Sequence, residues 1–264
     1  MRKTRLLFGL IISSMVVMAQ PKPKPAMGWK DVLNWQSIPA FGGTQLSPDG
    51  QWYAYVLAKY ESDAELIIQK TSDTTKYVYP IGAPSFAQMS FSDNSKWIAF
   101  KVFAKDKDKK SAAKPGGKPI PDKLFLVELA SNKKTEFERV RSFAFNGEKA
   151  THLAVLLTAA GGGGASDAAK GSDLLLFDLA TSKTQNMGNV SEMAFDKAGN
   201  WLAMTIDANE KAGNGVQLRN MTTGVNLTMD NDKARYQSLN WTEKGDALAL
   251  LKSTKDEKYK NERV

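Results

Sequence analysis

Five times between Leu46 and Ala249 the chain leaves one apolar residue, crosses a polar turn and enters a mostly apolar strand that reaches an alanine. The copies read Leu46-Ser-Pro-Asp-Gly-Gln-Trp-Tyr-Ala54, Phe91-Ser-Asp-Asn-Ser-Lys-Trp-Ile-Ala99, Phe145-Asn-Gly-Glu-Lys-Ala-Thr-His-Leu-Ala154, Phe195-Asp-Lys-Ala-Gly-Asn-Trp-Leu-Ala203 and Trp241-Thr-Glu-Lys-Gly-Asp-Ala-Leu-Ala249. Successive alanines lie 45 to 55 residues apart. That period is too long for leucine-rich or ankyrin repeats and suits a propeller blade of about 40–50 residues. In Ser47-Pro48-Asp49-Gly50 the proline presets φ, the aspartate caps its own backbone and the glycine accepts a positive φ. The small alanine suits a layer where neighbouring sheets pack closely.

A second unit recurs between these hairpins. Leu66-Ile-Ile-Gln-Lys70, Leu124-Phe-Leu-Val-Glu-Leu129, Leu174-Leu-Leu-Phe-Asp-Leu179 and Val216-Gln-Leu-Arg-Asn220 each run into a short polar turn. They read as third strands joined by hairpins to outer strands. Strand, turn, strand, loop, strand, turn, strand is one blade. The expected fold is therefore all-β: a β-propeller of four-stranded blades, about four and a half blades in an incomplete ring. Blades are expected near 41–85, 86–140, 141–190 and 191–235, with the start of a fifth in 236–264. Because propellers close with about 4–8 blades, a chain stopping in mid-blade implies truncation or unusual closure.

The amino-terminal segment reads differently. Arg2, Lys3 and Arg5 precede an uncharged run from Leu6 to Met18, and Val17 and Ala19 are small residues before Gln20. This is the layout of a cleaved export signal over 1–19; the run is short for a membrane span, which needs about 20 residues. Residues 20–40 read as an extended Lys/Pro linker, Pro21 to Pro25, followed by a short helix within Gly28 to Ile38. The chain is expected to be periplasmic or secreted.

The net charge is +8, of which the first nineteen residues carry +3 and residues 105–123 carry +4. A body with about one net charge is a poor nucleic-acid binder. Cysteine is absent, which removes thiol nucleophiles and thiolate metal sites.

The first copy, Ser47-Pro48-Asp49-Gly50-Gln51-Trp52, closely resembles the PD40 or TolB-type propeller motif, Ser-Pro-Asp-Gly followed by an aromatic and a small residue, and the other four copies are degenerate forms of it. Together with the signal-like segment, the Trp-containing helix and the basic insertion after the second motif, residues 28–264 resemble the amino-terminal propeller of secreted prolyl oligopeptidase-family (S9) serine peptidases. The resemblance implies a cap over an α/β-hydrolase domain that follows it, carries the Ser-Asp-His triad and places its nucleophile in a Gly-x-Ser-x-Gly elbow. No such string occurs here, so no triad residue can be placed in this sequence.

Other candidate sites favour structure over chemistry. His152, the sole histidine, stands two residues before Ala154, as Trp52, Trp97 and Trp201 stand before Ala54, Ala99 and Ala203. It is expected to replace a packing tryptophan rather than act as a general base. Trp52, Trp97, Trp201 and Trp241 are expected in the core; Trp29 and Trp35 are open to either packing or stacking roles. Asp106-Lys-Asp-Lys-Lys110 and Asp230-Asn-Asp232 lack the calcium-loop pattern and read as turns or solvated loops. Gly161 to Gly164 lacks P-loop spacing and reads as a flexible insertion. The lysines of 105–123 read as a solvated loop rather than a docking patch.

No catalytic, cofactor or metal residue is assigned, and no cofactor is expected. The implied role is the non-catalytic propeller portion of an S9-type peptidase, gating peptides toward a hydrolase domain not present in this chain. The alternative is a free-standing periplasmic TolB-like propeller that binds protein or peptide. The partner in either case is a peptide or protein at a propeller face or central channel, with no nucleic acid and no membrane after signal cleavage.

Overall fold

The computed structural model describes residues 26–159, 171–208, 213–253 and 262–263. The segment 1–19 read as an export signal, the Pro21–Pro25 linker and the Gly161–Gly164 run lie outside them. The chain divides into two units, one ending at Trp35 and one starting at Gln36. In the first, helix α1 covers only Trp29–Leu33, shorter than the 28–38 segment expected to hold it. Trp29 and Trp35 are exposed.

The second unit is a β-propeller portion built of successive antiparallel blades. A short strand β1 (Gln36–Ser37), not anticipated from the sequence, pairs with β3. The first blade is β2 (Thr44–Leu46), β3 (Trp52–Lys59), β4 (Ala64–Lys70) and β5 (Lys76–Gly82). The second is β6 (Met89–Phe91), β7 (Trp97–Val102), β8 (Lys123–Glu128) and β9 (Lys133–Phe137). Between β7 and β8 the basic insertion opens with a two-turn helix, α2 (Asp106–Ala112). Asp106 to Lys110 are thus helical and not a turn. Lys110 pairs with Asp106 at i,i+4, and the two aspartates sit at the positive amino end of the helix.

The third blade is β10 (Val140–Phe145), β11 (His152–Leu157), β12 (Ser172–Asp178) and the first half of β13 (Thr184–Phe195). The fourth is the second half of β13, β14 (Trp201–Ile206), β15 (Gly215–Asn220) and β16 (Asn226–Asn231). Strand β13 therefore joins two blades into one seven-stranded hydrogen-bonded sheet. Thr184–Met187 pair with β12 and Glu192–Phe195 with β14, while Val190 belongs to both ladders. Gly188 and the left-handed Asn189 lie between the halves. The joined sheets still face one another: Leu174 and Leu176 of β12 share a core with Leu202 and Met204 of β14. The fifth blade contributes β17 (Arg235–Trp241), β18 (Leu248–Ser253) and β19 (Glu262–Arg263).

Register repeats from blade to blade. The key alanine of each second strand pairs with Gln45, Ser90, Ala144, Ala194 and Asn240 of its first strand. In the four complete blades it pairs on the other side with Ile68, Leu126, Leu176 and Leu218. Ala54, Ala99, Ala154 and Ala203 are fully buried, whereas Ala249 is exposed on the side of the fifth blade away from the fourth. Four cores result, one between each pair of neighbouring blades. Period-two alternation is what feeds them: Trp52, Ala54 and Val56 of β3 turn inward while Tyr53, Tyr55 and Leu57 turn away.

The turns carry a shared polar cap that follows directly after each first strand. Ser47, Ser92, Asn146, Asp196 and Thr242 each accept, through a side-chain oxygen, the backbone N–H that opens or precedes the second strand. Ser47 also donates to Asp49 at 2.6 Å, which holds that carboxyl below its usual range. The left-handed position is glycine in three turns, Gly50, Gly199 and Gly245, and Ser95 or Ala150 in the other two. Each turn leans on the next: Asp49 N–H donates to Ser95 Oγ, Asn94 Nδ2 to the Ala150 carbonyl, and Glu148 N–H to the Lys197 carbonyl.

Of the tryptophans expected in the core, only Trp52 is buried, stacked on Tyr77 at 5.6 Å. Trp97, Trp201 and Trp241 are half-buried. Trp97 and Trp201 open their strands as Trp52 does, and the strand position facing Ala54, Ala99 and Ala203 through the third strand gives Tyr77, Thr135 and Leu227, of which the first stacks on its tryptophan. Trp241 keeps its indole N–H on the Ala194 carbonyl of the fourth blade, 3.1 Å away.

Candidate functional site: an uncharged cleft along the first strands

In blades one, two, three and five the first strand pairs with the second and, among the described residues, with no other strand. First strands come together: β2 lies beside β6, β10 beside β13, and β13 beside β17. Close approach is built in at Gly42, at φ +66°, where an added Cβ would collide with the Ala87 carbonyl of the next blade.

Polar links run within and between blades near these strands. The buried Lys101 on β7 donates to the Arg141 carbonyl on β10 at 2.7 Å and lies 3.4 Å from Asp122. Leu239 N–H on β17 donates to Glu192 on β13 at 3.1 Å. The buried Ser191 and Thr205 hydroxyls lie 2.7 Å apart, and Thr205 accepts the Glu192 N–H.

Along the first strands of blades one to three runs a cleft of about 480 Å³. Thr44, Gln45, Gln88, Ser90 and Ser142 supply hydroxyl and amide groups, and Met89 and Phe143 supply apolar surface. No lining residue carries a charge. Gln45 Oε1 is buried without a donor. A buried acceptor left unpaired costs about 1–3 kcal/mol, and such groups are rare in folded proteins. Turning the Gln45 amide into the cleft, to meet an N–H of a ligand, would remove that cost. Uncharged donors and acceptors along first strands that pair on one side suit the backbone of an extended peptide. Sequence reasoning missed this cleft, because its residues are ordinary strand residues that only the stacking of three blades unites.

His152 stands where the repeat places it. It pairs with Asp178 across β11 and β12, as Trp52, Trp97 and Trp201 pair with Lys70, Glu128 and Asn220. Its Nδ1 lies 2.9 Å from Thr151 Oγ1, and its Nε2 lies 3.9 Å from Asp178, beyond a hydrogen bond. Burial holds the imidazole below its usual range, the Arg219 charge adds to this, and Asp178 pulls the other way. Asp230 and Asp232, expected in a turn or loop, lie at and just beyond the end of β16, and Lys252 binds both at 3.0 Å. Tyr236 also donates to Asp230, and burial together with that contact pushes the phenol up to about 12.

The sequence matches no family model, and no curated protein is significantly similar to it. Its fold is that of solved β-propellers. An acylaminoacyl peptidase from Pyrococcus horikoshii superposes with a TM-score of 0.50 at 11% identity, covering 87% of this chain and 37% of its own. A eukaryotic initiation factor superposes with a TM-score of 0.51 at 16% identity, covering 93% of this chain and 54% of its own. The chain thus spans about a third of the length of that peptidase. The propeller portion of a peptidase and part of an initiation factor match it about equally well, so the likeness is one of fold. Among the described residues no helix is long and apolar enough to cross a membrane.

Proposed function

We propose that this chain is a non-catalytic propeller module that admits extended peptides along its first strands, as the cap of an exported S9-type serine peptidase. The observation that carries the reading is the uncharged cleft of blades one to three with its unpaired acceptor, Gln45 Oε1. The PD40/TolB-type turn Ser47-Pro-Asp-Gly50 and the peptidase among the superposed folds support the assignment. Chemistry is assigned to a hydrolase domain elsewhere, since this sequence has one histidine and no Gly-x-Ser-x-Gly. The second reading, a free-standing binding propeller, draws on the equal match to a protein that is not named as a peptidase.

Gln45→Leu tests the cleft. It removes the unpaired acceptor, so stability is unchanged or rises, while affinity for an uncharged acetylated and amidated octapeptide falls about tenfold, roughly the 1.4 kcal/mol of one hydrogen bond. Calorimetric titration reads the affinity and urea unfolding reads the stability. Unaltered peptide affinity would contradict the reading. Labelling of the chain by a fluorophosphonate probe would contradict its non-catalytic role. An open reading frame that continues past codon 264 into a Gly-x-Ser-x-Gly elbow separates the peptidase cap from the free-standing module.

A further inference from the structure

The junctions between blades repeat the same two facing positions. One is the residue two before the key alanine on the second strand; the other lies on the third strand of the following blade. Between blades one and two these positions hold Trp52 and Val127, which share one apolar cluster. Between blades two and three they hold Trp97 and Phe177, again in one cluster. Between blades three and four they hold His152 and Arg219, and both line a cleft of about 440 Å³. The outer-strand position that gives Tyr77 in the first blade, stacked on Trp52, gives Gln185 in the third, on the rim of the same cleft. Large apolar groups that fill the first junction are thus replaced by smaller or polar ones in the third, and space is left.

The groups around that space are fixed. Arg219 Nη1 donates to the Gly224 carbonyl at 2.9 Å and to Asn226 Oδ1 at 3.2 Å, and Nη2 donates to Gln185 Oε1 at 2.5 Å. Its Nε is buried without an acceptor. All its partners are neutral, and among the described residues no carboxylate pairs with it. Lys183 adds a second positive charge from the turn after β12, and Lys149 a third, donating to Thr222 Oγ1 at 3.0 Å. The one facing carboxylate, Asp178, already accepts the Ala180 and Thr181 N–H groups through Oδ1. Thr181, Thr222 and Thr223 add hydroxyls at the mouth.

We propose that the cleft between the third and fourth blades binds a carboxylate, held by Arg219 and Lys183 beside His152. Neutral acceptors leave the guanidinium charge uncompensated, and a carboxylate drawn by that charge and by Lys183 can accept the Nη2 hydrogen that Gln185 does not use. The site is separate from the peptide cleft of blades one to three, and Gln45→Leu leaves it unaffected.

His152 makes the test direct, because it is the sole histidine and its imidazole gives a single reporter resonance in the tag-free full chain. Burial holds its pKa down, and an anion bound beside it favours the charged form and raises that pKa. At constant ionic strength, acetate, acetyl-aspartyl amide and acetyl-diglycine are titrated against chloride. The expected result is a saturable shift of the His152 signal with carboxylates and not with chloride, together with a raised pKa. Tighter saturation by acetyl-aspartyl amide marks a peptide side chain as the source, by acetyl-diglycine a chain terminus, and by acetate a free acid. Arg219→Gln weakens saturation by tenfold or more, and Lys183→Gln, on an exposed turn that leaves the Arg219 contacts intact, weakens it by a smaller factor. Shifts that are linear, shared by chloride, or unchanged in both variants would overturn the assignment.

Discussion

Phe100→Ala destabilises this protein by about 3–5 kcal/mol, and does so unevenly along the chain. Phe100 is 1% exposed and packs between the first and second blades, with Tyr79 and Phe125 rings 5.2 and 5.7 Å away. Truncation opens a cavity lined by two sheets that cannot collapse together without shifting their ladders. In an array where each repeat touches only its neighbours, stability is close to a sum of repeat and interface contributions. The variant should lose amide hydrogen-exchange protection first in β3 to β5, with β14 and β15 retained. Leu46→Ala, at a site 55% exposed, should cost less than about 0.5 kcal/mol. Uniform loss of protection in Phe100→Ala would mean that the blades unfold as one unit.

The second large effect belongs to the turns. Gly199 has φ +74°, and a Cβ there would collide with the Asn146 carbonyl of the preceding blade. Gly50 has φ +70° and open space around it. Alanine at Gly50 carries only the left-handed penalty of about 1–2 kcal/mol. Alanine at Gly199 carries that penalty and must also push two turns apart, breaking the packing that joins the third and fourth blades. Gly199→Ala should therefore exceed Gly50→Ala by about 1–3 kcal/mol in urea unfolding. Equal effects would show that the turns are not in contact.

Much of the blade pattern was legible because it rests on local chemistry repeated five times. An apolar residue, a capping Ser, Asn, Asp or Thr, a turn and an alanine locate each first hairpin without reference to the rest of the chain. The third-strand runs such as Leu124–Leu129 were equally visible, since strands covered on both faces lose their polar alternation. What stayed hidden depends on neighbours. The passage of β13 from one blade to the next is carried by Gly188 and Asn189, and nothing in their local sequence marks a strand that serves two blades. Helix α2 was masked by the Lys-, Gly- and Pro-rich composition of its insertion. His152 was correctly placed in the tryptophan column, but the matching arginine on β15 could not be paired with it, because 67 positions separate His152 from Arg219. The peptide cleft was invisible for the same reason: Gln45, Ser90 and Ser142 meet only when three blades stand side by side.

That stacking is the claim from which both clefts follow. Cysteine is absent from the chain, so an introduced pair supplies its only thiols. A Cβ on Gly245 would lie 3.3 Å from the Cβ of Asp196, close to the separation of about 3.5–4.5 Å that a disulfide spans. Mild oxidation of the Asp196→Cys/Gly245→Cys protein, with free thiols counted by mass spectrometry under denaturing conditions, should give a complete intramolecular bond between the fourth and fifth turns. Gly50→Cys/Gly245→Cys should stay reduced. Free thiols in the first pair, or bonding in both, would contradict the packing of successive hairpins as neighbouring blades.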